Sequence, residues 1–210
     1  MENYLLTLIS RMNDASDPKM LAGFKSSETT AWKALREAEK LCNPDFIAPL
    51  IEFICTEKNK KIRDKAYFAL GHLAKNINSQ VALNFLISST AKETDKYIVA
   101  SIFDRIAHIE KPIGTNLQPI INATKSDKWL IRHSAISALN LSLDETAEMT
   151  LTNILNSSDD PYNLMYANAV LNKIGTLKAI PYLEKLLSSR KNGVKDSAKF
   201  AIEEIRKRLI

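Results

Sequence analysis

Three short segments hold the side chains with most to offer a partner: Asp95-Lys96-Tyr97, Asp127-Lys128-Trp129 and Asp160-Pro161-Tyr162. Their rings stand 32 and 33 residues apart. Tyr and Trp dominate the energetics of protein interfaces, so a column of such rings reads as a partner-binding stripe. Aromatics at a repeat period more usually cover the seam between neighbouring structural units, and that is the favoured reading of each ring. A second set is basic: Arg63, Arg132 and Lys195 each follow the first apolar position of a helical pattern. They suit either a ladder of bonds to aspartates, with Asp127 and Asp160 within reach of Arg132, or contact with phosphate or an acidic partner. Arg105 stands where equivalent patterns have Ala or Val, so it must snorkel, pair with Asp104 or another carboxylate, or face a site.

Catalytic constellations are harder to find. There are three histidines, and none has an orienting carboxylate at a diagnostic spacing beside a nucleophile. His72 and His108 fall at equivalent positions of adjacent units. Stacked units set such positions about 10 Å apart, whereas a His–metal bond is about 2 Å, so one ion cannot bridge them. Cys42 and Cys55 form no metal or redox motif and read as reduced thiols near helix ends. No Gly-rich strand-to-helix turn offers a phosphate cradle. The expectation is a non-enzyme with no cofactor and no metal.

These residues are positioned by a repeat. Taking Ile131 as zero, small or apolar residues recur at +4, +7, +8 and +11, one face of an α-helix. Ile62, Ala66, Ala69, Leu70 and Leu73 fit; so do Val194, Ala198, Ala201, Ile202 and Ile205. The Ile98 and Asn163 copies each carry one polar exception, and Ser27 opens a degraded first copy. The +4 positions (31, 66, 102, 135, 167 and 198) are 31 to 36 residues apart, a period that selects an array of helical hairpins. In the central copy Asp127 is the expected N-cap. Between these B helices lie A segments, three led by Pro49, Pro119 and Pro181, where a missing N–H costs least. The period leaves roughly 12–16 residues per helix.

IRDKAYFALGHLA, LIRHSAISAL and VKDSAKFAIEEI resemble the second helix of HEAT repeats, of the short bacterial kind also found in phycobilisome-lyase-like proteins. The resemblance implies an all-α, right-handed α-α superhelix of about six helical hairpins, with B helices lining the concave face. The expected division is one domain over 1–210. It holds a degenerate repeat at 1–41 and repeats at about 44–76, 78–110, 114–143, 144–175 and 177–210. The connection from Asn13 to Ser27, with Met20, Leu21 and Phe24, is expected to add a turn over the first hairpin or to be mobile.

The 210 residues carry a net charge of +5, and the nine Lys/Arg against four Asp/Glu in 177–210 account for all of it. A nucleic-acid groove would spread that charge over several elements; a terminal repeat needs a polar outer side in any case. No stretch approaches the ~20 apolar residues of a membrane span, and the first residues lack the flanks of a secretory signal, so a cytoplasmic chain is expected. The function this reading favours is a non-catalytic interaction module that takes a protein or peptide on its B-helix face, using Tyr97, Trp129, Tyr162, Arg63, Arg105, Arg132 and Lys195. The alternative is a nucleic-acid protein. Trp129 to Ile136 is similar to the segment of HEAT-like DNA-alkylation-repair glycosylases in which a Trp precedes a DNA-contacting Arg, which makes Arg132 the phosphate-facing residue. The chain departs from that pattern at Ala167–Leu171, which reads ANAVL and lacks the next tryptophan. A bilin-lyase role is a third reading, and no Cys/His constellation accompanies it.

Overall fold

The computed structural model describes residues 2–15 and 25–209. Met20, Leu21 and Phe24 lie outside them. Twelve α-helices and four 3-10 turns make up the described chain, with one isolated parallel bridge, Lys111 to Ser142, and no strand. The chain divides into two compact units, 1–86 and 87–210.

The first unit holds α1 (Glu2–Met12), α2 (Thr30–Ala38), α3 (Ile47–Thr56) and α4 (Lys60–Ile77), and it ends within α5 (Gln80–Ser89). α1 pairs with α2 and α3 with α4, and α4 also meets α1 and α2. Leu8, Ile9, Ala34, Ala38, Leu50, Ala66, Leu70 and Leu73 form its core. Polar ties fix the angles: Arg11 and the Tyr4 hydroxyl both bond Glu37, and the Asn76 amide reaches the carbonyls of Glu39 and Leu41. α4 closes on Asn78 at φ 50°, whose left-handed backbone lets Ser79 N–H reach Ala74 O.

The second unit holds α6 (Lys96–Ile106), α7 (Gln118–Ala123), α8 (Trp129–Ala138), α9 (Glu145–Ser157), α10 (Pro161–Ile174), α11 (Ile180–Lys185) and α12 (Val194–Leu209). The B helices α6, α8, α10 and α12 pack in sequence, each against the next, while α7, α9 and α11 pack on the B helix that follows. Ala135, Ala138, Ala167, Ala198 and Ala201 are fully buried at these crossings, as the small-residue spacing requires. A serine tie repeats along the layer: Ser134 bonds Asp104, and Asn168 bonds Ser197.

Two expectations need correction. α7 and α11 are six residues each, shorter than the period suggested, because 3-10 and turn segments take the remaining length. Asp127 is not the N-cap of α8. That helix starts at Trp129 with Lys128 at the cap position and no side chain capping it; the Ser126 hydroxyl accepts from Lys128 N–H in the turn ahead. The prolines behave as expected: Pro49, Pro119 and Pro181 lie in the first turns of α3, α7 and α11, and Pro161 does the same in α10.

Candidate functional site

The N-terminal turns of α6, α8 and α10 form the candidate site. Asp95 caps α6 by accepting from Tyr97 N–H, and Asp160 caps α10 by accepting from Tyr162 N–H. The side chain two residues past each cap is thereby set on the first turn, pointing away from the core. Tyr97, Trp129 and Tyr162 are 66%, 63% and 59% exposed. The α8 register differs slightly: Trp129 stands six residues before Ala135, whereas Tyr97 and Tyr162 stand five before Ile102 and Ala167.

Two residues of the site were not singled out from the sequence. His133, one turn after Trp129, is 7% exposed and lies among three rings. Its imidazole centroid is 5.8 Å from Trp129, 6.0 Å from Tyr162 and 4.9 Å from Tyr166, on which it stacks at 25°. Tyr166 follows Tyr162 by one turn and is 39% exposed. The i,i+4 spacing from each ring was the available signal. Burial is the main cause that lowers the His133 pKa; Asp160 opposes it and Arg132 adds to it, so the ring is neutral at pH 7. Its Nε2 lies 3.8 Å from Asp160 Oδ2 and has no hydrogen bond.

Arg132 locks this arrangement from behind. Its NH1 donates to the carbonyls of Ser126 (2.8 Å) and Asp127 (3.4 Å), Nε donates to Asn163 Oδ1 (3.0 Å), and NH2 pairs with Asp160 Oδ2 (2.9 Å). Of the two aspartates within its reach, Asp160 is bonded through its carboxylate and Asp127 through its carbonyl. Desolvation pushes the Asp160 carboxyl up, but the Tyr162 amide, Arg132, the Asn163 amide and His133 together outweigh it and hold its pKa below the ordinary carboxylate value. Arg132 also walls a cleft of about 490 Å³ between the C-terminal ends of α7 and α9, lined by Ile121, Lys125, Asn153, Ile154 and Asn163 among others.

Arg63 on α4 makes the same inner contacts, to the carbonyls of Glu57 (2.9 Å) and Lys58 (3.4 Å), six and five residues back. Arg105 is half-buried on α6, and its charge acts on Asp104, whose pKa burial raises against that pull. Lys195 is exposed on α12. Cys42 and Cys55 are free and exposed. No group of three or more His, Cys, Asp or Glu that could hold a metal ion occurs among the described residues, and no helix among them is long and apolar enough to cross a membrane.

Comparison with known proteins agrees with this architecture. Residues 117–203, from the start of α7 into α12, match the family model for HEAT repeats. No curated protein matches the sequence. Among solved structures, the chain is similar to a designed armadillo repeat protein, at 16% identity and TM-score 0.52 over 95% of this chain and 98% of that one. An engineered protein shares 19% identity at TM-score 0.57, over 98% and 97%. Computationally designed armadillo repeat proteins for modular peptide recognition match at 16% identity and TM-score 0.52, over 94% and 98%. At these identities the likeness is one of fold: the protein is an all-α repeat protein of the armadillo/HEAT class.

Proposed function

We propose that the protein is a non-catalytic interaction module that binds a protein or peptide across α6, α8 and α10. The observation that carries the reading is the row Tyr97, Trp129 and Tyr162, three large rings at the repeat period that stay mostly in solvent. Rings that served only to pack the repeats would bury most of their area. In this reading Tyr166 widens the row, Arg132 is a positioning residue, and Arg105 and Lys195 of the same unit supply polar contacts, whereas Arg63 belongs to the first unit and bonds its own turn. The peptide-recognition title of one structural neighbour is in keeping with such a use of the fold.

Affinity purification from the native host tests this, with wild type beside a Tyr97→Ala/Trp129→Ala variant that remains folded by circular dichroism. The expected result is a stoichiometric protein that the variant loses, with an affinity cost of at least ~1–2 kcal/mol per ring. Nuclease-sensitive nucleic acid that is held only at low salt would overturn the reading in favour of phosphate contact.

A further inference from the structure

The row also specifies the conformation of what it binds. We propose that the occupant is an uncharged, proline-repeating peptide in the polyproline II conformation, lying across α6, α8 and α10 with one proline on each ring. This rests on the row being the recognition surface.

Spacing is the first argument. Packed helices sit about 8–10 Å apart, and polyproline II rises about 9 Å in each three-residue turn. A peptide crossing adjacent B helices therefore presents the same face to each ring once per turn. The distances of Trp129 and Tyr162 to the shared His133 ring, 5.8 and 6.0 Å, keep those two rings within reach of a single such turn. Aromatic-lined grooves are the usual receptors for this helix, because it is preformed and loses little entropy on docking.

Hydrogen bonding is the second. A polyproline II backbone makes no internal hydrogen bonds, so its carbonyls need donors. The hydroxyls of Tyr97, Tyr162 and Tyr166 bond no described residue, in contrast to Tyr4, whose hydroxyl is held by Glu37. Charge is the third. Residues 92–97, 125–132 and 158–162, which carry the rings, hold five basic and five acidic residues. Arg132 has given its guanidinium to protein acceptors. A balanced rim has no preference for a highly charged peptide or a phosphate backbone.

The row also has an end. Five residues before Ala198, where α12 would supply a fourth ring, the chain has Gly193 at φ +73°, and a Cβ there would stand 2.6 Å from Met165 Sδ. Three rings fix the footprint at about nine residues.

The experiment uses the full chain with Trp32→Phe, which leaves Trp129 as the sole tryptophan and reporter. Capped peptides of about nine residues are titrated: one with proline at every third position, and composition-matched peptides with prolines at every second or every fourth. An arginine-rich peptide and oligothymidylate complete the set. The expected result is saturable binding of the every-third peptide, at least ~10-fold tighter than its matched controls, with a further loss of ~10-fold for Tyr97→Ala and for Tyr162→Ala. Equal binding of all proline spacings, or saturation by none of the probes, overturns the proposal. Tight binding of the arginine-rich peptide or oligothymidylate that Tyr162→Ala abolishes also overturns it, but leaves the row as the recognition surface. Any binding that survives both tyrosine substitutions removes the row as well.

Discussion

The two ends of the B-helix layer in the second unit solve the same problem in opposite ways. At the N-terminal end of α8 and α10, orphan backbone groups are met by side chains: Asp160 caps α10, Arg132 gathers two turn carbonyls, and aromatic rings are left in solvent. At the C-terminal end of α6, closure is internal. Lys111 is fully buried, with its ammonium on the carbonyls of Ile106 and Ile109. Its backbone forms a bridge, N–H to Leu141 O and carbonyl from Leu143 N–H, both at 2.9 Å. Leu141 adopts φ 57° there, a conformation costly for a branched side chain. Asn140 adds a bond to Ala107 O. Burial pushes the Lys111 pKa down to about 7, against the pull of its two carbonyl acceptors towards the charged form. One end is therefore built for stability and the other for exposure.

Substitutions at each end should separate the two roles. The largest effect is expected for Lys111→Met, which fills the space but leaves buried carbonyls without a donor; we expect a loss of about 2–3 kcal/mol in urea unfolding. The unfolded chain holds the Lys111 proton up to its ordinary pKa, whereas the folded chain releases it above about 7. Lys111 therefore adds stability as pH rises through that window, and the methionine variant should lack this part of the pH dependence.

Arg132→Ala should cost about 1.5–2 kcal/mol, because Asp160 and Asn163 lose a shared donor. Arg132→Lys should restore less than half of that, since an ammonium cannot reproduce the planar fork. Asp160→Asn keeps the cap but removes the charge. Its depressed pKa contributes stability above the unfolded carboxyl value, which disappears as pH falls through the lower folded one. The variant should be about 1 kcal/mol less stable at pH 7 and converge on wild type at strongly acidic pH. The smallest change is expected for Trp129→Ala: unfolding within about 0.5 kcal/mol of wild type, as for an exposed site, with binding lost. A Trp129→Ala chain that unfolds instead would mean that the ring is core.

Much of this architecture was legible in sequence because it is periodic. The Ala135, Ala167 and Ala198 spacing and the Tyr97, Trp129 and Tyr162 spacing repeat at one interval, and the prolines at about twice it, but that the rings stand in solvent was not legible from spacing. What was not legible depends on single tertiary contacts. Nothing local marks Lys111 as buried, since its environment is made by residues 106–109 and 141–143 folded around it. Asp127 looks like its neighbours Asp95 and Asp160 in sequence, but α8 takes Lys128 at its cap position and has no side-chain cap. His133 read as one residue of a helix until Tyr166 from the next repeat lay against it.

The exposure of Tyr97, Trp129 and Tyr162 has a consequence for how such a chain changes over time. Each ring sits on its own repeat with most of its area in solvent, and Trp129 and Tyr162 touch the core through His133. A substitution at any one of them alters a single contact with the outside and leaves folding nearly untouched. Specificity can thus drift one position at a time, while Lys111 and its bridge must be inherited together.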